Sequence, residues 1–266
     1  TIVLKDGTIK ITGKNWGQYG DGTQVASESW ITIPGFTNPK QFYPGKILTQ
    51  DGDLYISGQT TPFGTIYEYK KLASNVKKIG RDDVFLKNDG TVWAWGITWS
   101  QFGLGGDTSY YNIQYPYQFD SNVVDIAERG LFTWKSDGSL WARGEAYAGR
   151  VPCGTPGEIS VTPCKIGHGI SSVIQGVDMT FFLDKNGALI VSGKDNSYNF
   201  PWLSSSMLRL MDGVSAVSVS GCYRMPEGVI VTKQDGSLWA FGYSPKNALL
   251  FGTPDTTVST PQRVHF

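Results

Sequence analysis

Acidic side chains recur at one position of this sequence, directly before a glycine. The residues that share it are Asp6, Asp51, Asp89, Asp137 and Asp235, with Asn186 in the remaining copy. A set of carboxylates could hold a metal ion or transfer protons. An Asp-Gly pair is also typical of tight β-hairpin turns, in which we expect both residues to adopt positive φ. The recurrence of aspartate before glycine favours that structural role. We therefore predict no catalytic residue and no metal site among these side chains.

Cysteine and histidine, the other chemically active residues, are scarce. The chain has three cysteines and two histidines, His168 and His265, which cannot supply the ligand spacing of a zinc site. Cys153 and Cys164 lie in one stretch rich in proline and glycine and could pair; three unpaired thiols are the alternative. No glycine-rich phosphate loop and no Ser-His-Asp set is present. We predict that the protein is not an enzyme and needs no cofactor.

Tyrosine and tryptophan offer a different chemistry, since they give a large contact area with a polar tip and are favoured at interfaces. Several lie in long segments between the predicted strands. We predict that partner binding uses Trp16, Tyr19, Trp99, Tyr110, Tyr111, Tyr198 and Trp202. The alternative for each ring is packing beneath its loop. Tyr115 and Tyr117 alternate with Pro116, and we expect them to have a structural role on a strand.

The elements that must position these residues are short strands around the Asp-Gly or Asn-Gly pairs. In all six copies another glycine follows the first one by six residues, from Gly13 to Gly242. Between the two glycines the second and fourth residues are apolar, which places both on one face of a strand. The third residue is often aromatic, so we expect the opposite face to be covered as well. We assign Trp93, Trp95, Trp141 and Trp239 to the core between sheets.

The six units begin 38 to 49 residues apart, the interval of one propeller blade. The sequence thus predicts an all-β fold, a six-bladed β-propeller formed by 1–266 as a single domain. The chain starts at the second strand of a blade and ends near a fourth strand. We therefore expect ring closure near the N and C termini, in a three-stranded blade or in a domain cut from a longer protein.

The segment 89–96, Asp-Gly-Thr-Val-Trp-Ala-Trp-Gly, followed by Ser-Gln-Phe-Gly-Leu-Gly at 100–105, resembles the repeat of the regulator of chromosome condensation family. Residues 15–20, Asn-Trp-Gly-Gln-Tyr-Gly, resemble the same segment shortened by one residue. The resemblance covers essentially the whole chain and implies a propeller. It also implies a regulatory interaction, as an exchange factor for a small GTPase attached to chromatin. Six units instead of the family's usual seven blades separate this chain from that pattern.

The predicted hairpins sort the connections by position. Every Asp-Gly turn is short, and the turns lie at one end of the strands. The connections from the third to the fourth strand of each blade are long and aromatic, and they lie at the other end. Loops on a rigid scaffold carry most binding specificity, so we expect the recognition surface at that second end.

Charge and hydropathy exclude two classes of partner. Lysine and arginine together number 23, as do aspartate and glutamate, so the formal net charge is zero. This balance gives no reason to expect nucleic-acid binding. No apolar run approaches the length that spans a membrane, and we predict no membrane insertion.

These features predict a non-enzymatic recognition module, most simply a bacteriophage or bacterial surface protein such as a receptor-binding or tail-tip component. Its expected partner is a protein or glycan on a cell surface, and its expected location is extracellular or on a virion surface rather than cytoplasmic. The alternatives are the regulatory propeller that the resemblance implies and a secreted protein inhibitor.

Overall fold

Each Asp-Gly or Asn-Gly pair connects two antiparallel strands in the structure, a computed structural model. It describes residues 1–98, 111–127, 129, 131–145, 151–153, 159–176, 179–193, 206–220, 228–244 and 256–265. These residues divide into two compact units, one ending at Arg129 and one starting at Leu131. The prediction of a single domain across 1–266 stays a prediction.

The first unit contains three antiparallel sheets. Its described strands are β1 (Ile2–Val3), β2 (Thr8–Gly13), β3 (Ser27–Thr37), β4 (Gln41–Tyr43), β5 (Lys46–Leu48), β6 (Leu54–Thr61), β7 (Gly64–Ala73), β8 (Val76–Ile79), β9 (Val84–Lys87), β10 (Val92–Thr98), β11 (Tyr111–Asp120) and β12 (Val123–Ile126). Strands β1 to β3 form a three-stranded sheet, in which the Asp6-Gly7 turn connects β1 and β2. Strands β4 to β7 and β8 to β11 form four-stranded sheets in chain order.

The second unit repeats this arrangement. Its described strands are β13 (Phe132–Lys135), β14 (Ser139–Glu145), β15 (Ile159–His168), β16 (Ile170–Gln175), β17 (Met179–Asp184), β18 (Leu189–Gly193), β19 (Leu208–Met211), β20 (Val214–Ser220), β21 (Gly228–Lys233), β22 (Leu238–Ser244) and β23 (Thr256–Arg263). Strands β13 to β15, β16 to β19 and β20 to β23 are neighbours in chain order. The two units together contribute to six sheets, and the described residues include no helix, so the all-β prediction is confirmed. Among the described residues there is no helix long and apolar enough to span a membrane.

The turns differ in detail from the sequence prediction. Only the glycine of each pair adopts positive φ, for example +81° at Gly90, whereas Asp89 does not. Gly90 N–H donates to Lys87 O at 3.1 Å, and Lys87 N–H donates to Thr91 O at 2.9 Å. This is a four-residue turn closed by a left-handed glycine and a bulge, which suits the twist of the strands. The requirement for glycine therefore comes from its own φ and not from that of the aspartate.

The turn aspartates have the structural role predicted for them. Asp89 Oδ1 accepts from the Thr91 backbone N–H at 2.9 Å and from the Thr91 hydroxyl at 2.6 Å. Asp137 makes the same two contacts with Ser139. These hydrogen bonds, first from the hydroxyl and then from the backbone, lower the pKa of both carboxyl groups. The serine of a third copy holds the pKa of Asp235 low in the same way.

Asparagine at Asp89, Asp137 and Asp235 together should remove part of the pH dependence of stability. The lowered folded-state pKa of each carboxyl means that its contribution is present above the unfolded value of about 3.9 and is lost as pH falls through the folded value. Wild type should therefore lose more of its melting temperature between pH 5 and pH 3 than the triple variant does. Thermal melts across that range test this. A difference in melting temperature between wild type and the triple variant that is the same at pH 5 and at pH 3 would contradict this prediction.

The core follows the alternation seen in the sequence. Of the second and fourth residues after each turn glycine, all are buried except Leu238, which is half-buried. Leu54 and Ile56 pack with Val76, Phe85 and Trp95 in the first unit, and Leu189 and Val191 pack with Phe181 and Phe241 in the second. The apolar face of each third strand is thus the face that forms the core.

The four tryptophans assigned to the core divide into two kinds. Trp95 is 2% exposed and belongs to the core, but Trp93, Trp141 and Trp239 are half-buried. The indole N–H of Trp93 donates to Thr91 Oγ1 at 2.7 Å, and the other two bond the serine at the same position. These three rings continue the hydrogen-bond chain that starts at the turn aspartate. Their assignment to the interior is corrected to a position at the margin of the core.

Candidate functional site

The predicted binding residues are only partly within the described chain. Trp99, Tyr110, Tyr198 and Trp202 lie outside the described residues. Tyr111 is the first residue of β11, and only its backbone is described. Tyr115 and Tyr117 lie on β11 as expected, and their side chains are 76% and 55% exposed. Trp16 and Tyr19 lie in the connection between β2 and β3.

The first part of that connection folds around Asn15. The side chain of Asn15 is 4% exposed, its Oδ1 accepts from Gly17 N–H at 2.9 Å, and its Nδ2 donates to Thr23 O at 3.1 Å. A buried amide thus satisfies backbone groups on both sides of the loop, which fixes the conformation of the loop. Trp16 lies between two of these contacts and is 58% exposed. Its indole ring is presented to solvent on a defined backbone.

Tyr19 has a different role from the one predicted. Its side chain is 1% exposed, and its hydroxyl donates to Gly13 O at 2.6 Å. It packs with Ile9 and Ile11 in the core of the first sheet. A ring without exposed surface cannot contact a partner, so we correct the role of Tyr19 from partner contact to support of the loop beneath Trp16.

The outer strand β7 holds the other side of this loop. Tyr69 Oη donates to Gln18 O at 3.0 Å, and Gly22 N–H donates to Tyr67 O at 2.9 Å. A Cβ atom at Gly20 would lie 2.2 Å from the Tyr69 ring, so only glycine allows this approach. Burial raises the pKa of the Tyr69 hydroxyl well above its usual range. The loop is therefore fixed from inside by Asn15 and from outside by Tyr69.

A pocket of about 530 Å³ lies next to Trp16. It is at the end of the sheets opposite the Asp-Gly turns, since its walls include the short connections before β5 and β9 and the end of β6. The lining residues are Trp16, Gln18, Tyr43, Pro44, Gly45, Lys46, Ile56, Ser57, Gly58, Gln59, Thr61, Arg81, Asp83 and Trp95. Its size lies within the range of typical ligand sites.

A buried lysine forms one wall of this pocket. The Lys46 ammonium donates to Arg81 O at 2.5 Å, to Asp82 O at 3.1 Å and to Asp83 Oδ1 at 3.3 Å. It lies 5.6 Å from the centre of the Trp95 ring. Burial lowers the pKa of Lys46 and raises the pKa of Asp83, and in each case their mutual attraction opposes the effect. Two backbone carbonyls and the Asp83 carboxylate thus accept hydrogen bonds from the ammonium group, and Lys46 and Asp83 form an ion pair.

Sequence reasoning missed Lys46, although the repeat contains a signal for it. Lys46 pairs with Ile56 in the same register in which Val84 pairs with Ala94 and Phe132 pairs with Ala142. Val84 and Phe132 are fully buried, so a lysine at this position departs from the apolar pattern. A charged residue at a core position needs partners. The connection at 81–83 supplies them.

Cysteine chemistry in the described chain is structural. Cys153 and Cys164 form a disulfide, with Cα atoms 6.0 Å apart, so the structure selects pairing from the two alternatives. Cys222 lies outside the described residues. Within the described ranges no three side chains of His, Cys, Asp or Glu are grouped so that they could hold a metal ion.

No family model matches the sequence, and no curated protein matches it. Solved structures do. Prp20p of Saccharomyces cerevisiae, studied with its binding to Gsp1p and histones, is 17% identical, with a TM-score of 0.71 over 99% of this chain and 74% of that one. Yeast RCC1 (Prp20) bound to Kap60 gives 18% identity, a TM-score of 0.71, and coverage of 99% and 72%. Human WBSCR16 gives 16% identity, a TM-score of 0.66, and coverage of 100% and 78%.

The chain has an RCC1-like repeat fold. The resemblance to the regulator of chromosome condensation family is thereby confirmed at the level of fold.

The RCC1-like comparisons also correct one prediction about location. The similar proteins are human WBSCR16 and a yeast protein that binds histones. Both similarities point away from a location on the exterior of a cell or virion. The prediction of an extracellular or virion-surface location is therefore wrong. Nothing among these similarities supports a bacteriophage or bacterial receptor-binding role.

Proposed function

We propose that this RCC1-like chain is a non-enzymatic protein-binding module with a regulatory role. The observation that carries the proposal is the exposed Trp16, held on a fixed loop beside the 530 Å³ pocket. Exposed tryptophans surrounded by fixed backbone are frequent anchors of protein interfaces. The solved structures of Prp20p, with its binding to Gsp1p and histones, and of RCC1 (Prp20) bound to Kap60 support a protein as the class of partner.

Further surface next to Trp16 supports the same face. The backbone after Trp16 lies against Tyr67, because a Cβ atom at Gly17 would be 3.1 Å from Tyr67 Cδ1. Tyr67 is 39% exposed, and Phe63, in the turn between β6 and β7, is 45% exposed. Net charge is zero, which favours a protein over a nucleic acid as the partner.

Two finer predictions belong to this proposal. Trp99, Tyr110, Tyr111, Tyr198 and Trp202 are proposed as additional contacts at the same ends of their repeats. The six sheets are proposed to be the blades of a six-bladed propeller that closes near the N and C termini, supported by the six turn units and by the fold likeness over 99% of the chain.

Alanine at Trp16 should weaken binding to the native partner by about thirtyfold, or about 2 kcal/mol, as expected for one interface anchor. Its melting temperature should stay near that of wild type, since the ring is largely exposed. The test is affinity capture with the wild-type chain, followed by titration of the purified partner against both proteins. Lys5→Ala, which changes an exposed residue at the turn end, is the control. If Lys5→Ala lost binding while the Trp16 variant bound the partner fully, the interface would lie at the turn end of the strands and the proposal would be wrong.

A further inference from the structure

The pocket beside Trp16 has mainly apolar walls and one uncompensated charge at its edge. We propose that it binds a peptide segment of the partner in which a bulky apolar side chain stands next to a carboxylate. This inference rests on the proposed protein-binding function and specifies the partner's chemistry at that site.

The apolar half of the segment is indicated by the walls. Trp16, Tyr43, Ile56 and Trp95 contribute rings and an aliphatic chain to one cavity. At about 530 Å³ the cavity has room for a bulky apolar side chain together with a second group of the ligand. Burial of an apolar side chain here gives the main favourable free energy of binding, because it removes apolar surface from water on both partners.

The carboxylate is indicated by the charges around the cavity. Lys46 and Asp83 neutralise each other, and Asp82 Oδ2 pairs with Arg129 Nε at 3.4 Å. Arg81 lines the same pocket and is exposed, and its guanidinium makes no ion pair with any residue in the described ranges. A guanidinium presents two parallel donors that match a carboxylate. The hydrogen bond from the Lys46 ammonium to Arg81 O fixes the backbone that carries this guanidinium group.

A cationic ligand is disfavoured by the same geometry. The place between the aromatic rings that would attract a cation already holds the Lys46 ammonium, 5.6 Å from the Trp95 ring and 5.9 Å from the Tyr43 ring. A second cation there would face both Lys46 and Arg81. The pocket therefore selects against basic side chains.

Three blocked hexapeptides test the proposal: acetyl-Gly-Ser-Phe-Glu-Ser-Gly-amide and its counterparts with Gln or Lys in place of Glu. Their affinities are measured by tryptophan fluorescence and by NMR titration of the whole chain. The Glu peptide should bind about tenfold tighter than the Gln peptide, a difference of about 1.4 kcal/mol. In Arg81→Gln the two peptides should differ by less than about twofold, and the Gln peptide should bind as it does to wild type. Lys5→Gln, which removes a positive charge at the turn end, should keep the tenfold preference.

Several results would overturn the inference. They are equal affinity for the Glu and Gln peptides, preference for the Lys peptide, or no binding of any of the three. If 3-phenylpropanoate bound as tightly as the Glu peptide, the pocket would be a site for small carboxylates and not for a peptide. The proposed function is tested separately. If Trp16→Ala lost partner binding and the peptides showed no preference, the proposed function would be supported and only this inference would be rejected.

Discussion

Alanine at Phe181 should lower the free energy of unfolding by about 3–5 kcal/mol, the usual range for an aromatic residue removed from a core. Phe181 is fully buried on β17, and its ring meets that of Phe241 edge to face with 6.1 Å between centroids. Valines from β18 and β21 pack in the same cluster. The substitution leaves a cavity that such a closely packed site cannot refill.

Urea denaturation followed by circular dichroism measures this effect. Phe181→Leu should lower the free energy of unfolding by less than about 1.5 kcal/mol, because it conserves most of the side-chain volume. This variant can still be measured if the alanine variant does not fold. Trp30→Ala is the matched control, since Trp30 is 49% exposed on β3. An alanine variant at Phe181 as stable as the one at Trp30 would contradict the assignment of the second unit's core.

Alanine at Gly90 is expected to cost about 2–5 kcal/mol, from about 1–2 kcal/mol for a side chain in the left-handed region and about 1–3 kcal/mol for crowding. Gly90 has φ +81°, and a Cβ atom there would lie 3.1 Å from Val123 O. The same glycine accepts a hydrogen bond at its carbonyl from Val123 N–H at 3.0 Å. Any movement that relieves the crowding weakens that bond.

Gly138 is a matched control for this prediction. Its φ is +79° in the same kind of turn, but a Cβ atom there would meet nothing within 4 Å. Gly138→Ala should therefore cost only the left-handed strain, about 1–2 kcal/mol. The difference between the two unfolding free energies isolates the close approach at Gly90. Equal costs would show that Val123 moves aside freely.

The sequence was sufficient for features that are local. The turn units specify hairpins because the left-handed glycine and the aspartate hydrogen bonds involve residues only a few positions apart. The alternation after each turn identifies the buried face of each third strand for the same reason. Even the error at the turn was confined to the sign of φ at the aspartate.

Features that depend on contacts with residues distant in the sequence could not be predicted from the sequence. Trp16 and Tyr19 are three residues apart in one loop, and a buried amide at Asn15 and the ring of Tyr69 decide which of them is exposed. Trp93 and Trp95 both contact Phe85, with 6.4 Å and 5.7 Å between ring centroids. Trp95 belongs to the buried cluster that contains Leu48, whereas Trp93 packs against the outside of that cluster. Lys46 is buried because carbonyls 35 and 36 residues away accept its protons.

The bond from Val123 N–H to Gly90 O has counterparts in which Val76 and Val214 donate to Gly52 O and Gly187 O at 2.8 Å. The turn of one repeat thus recognises the first strand of the repeat that follows it. In a chimaera built by exchanging repeats, a crossover placed between Gly52 and Val76 would join a turn and a strand that did not evolve together. A crossover in the long connection between the third and fourth strands has the same fault, since it also separates them. The segment of this protein that should be exchanged as one piece therefore runs from an Asp-Gly turn through the first strand of the next repeat, and it includes parts of two sheets.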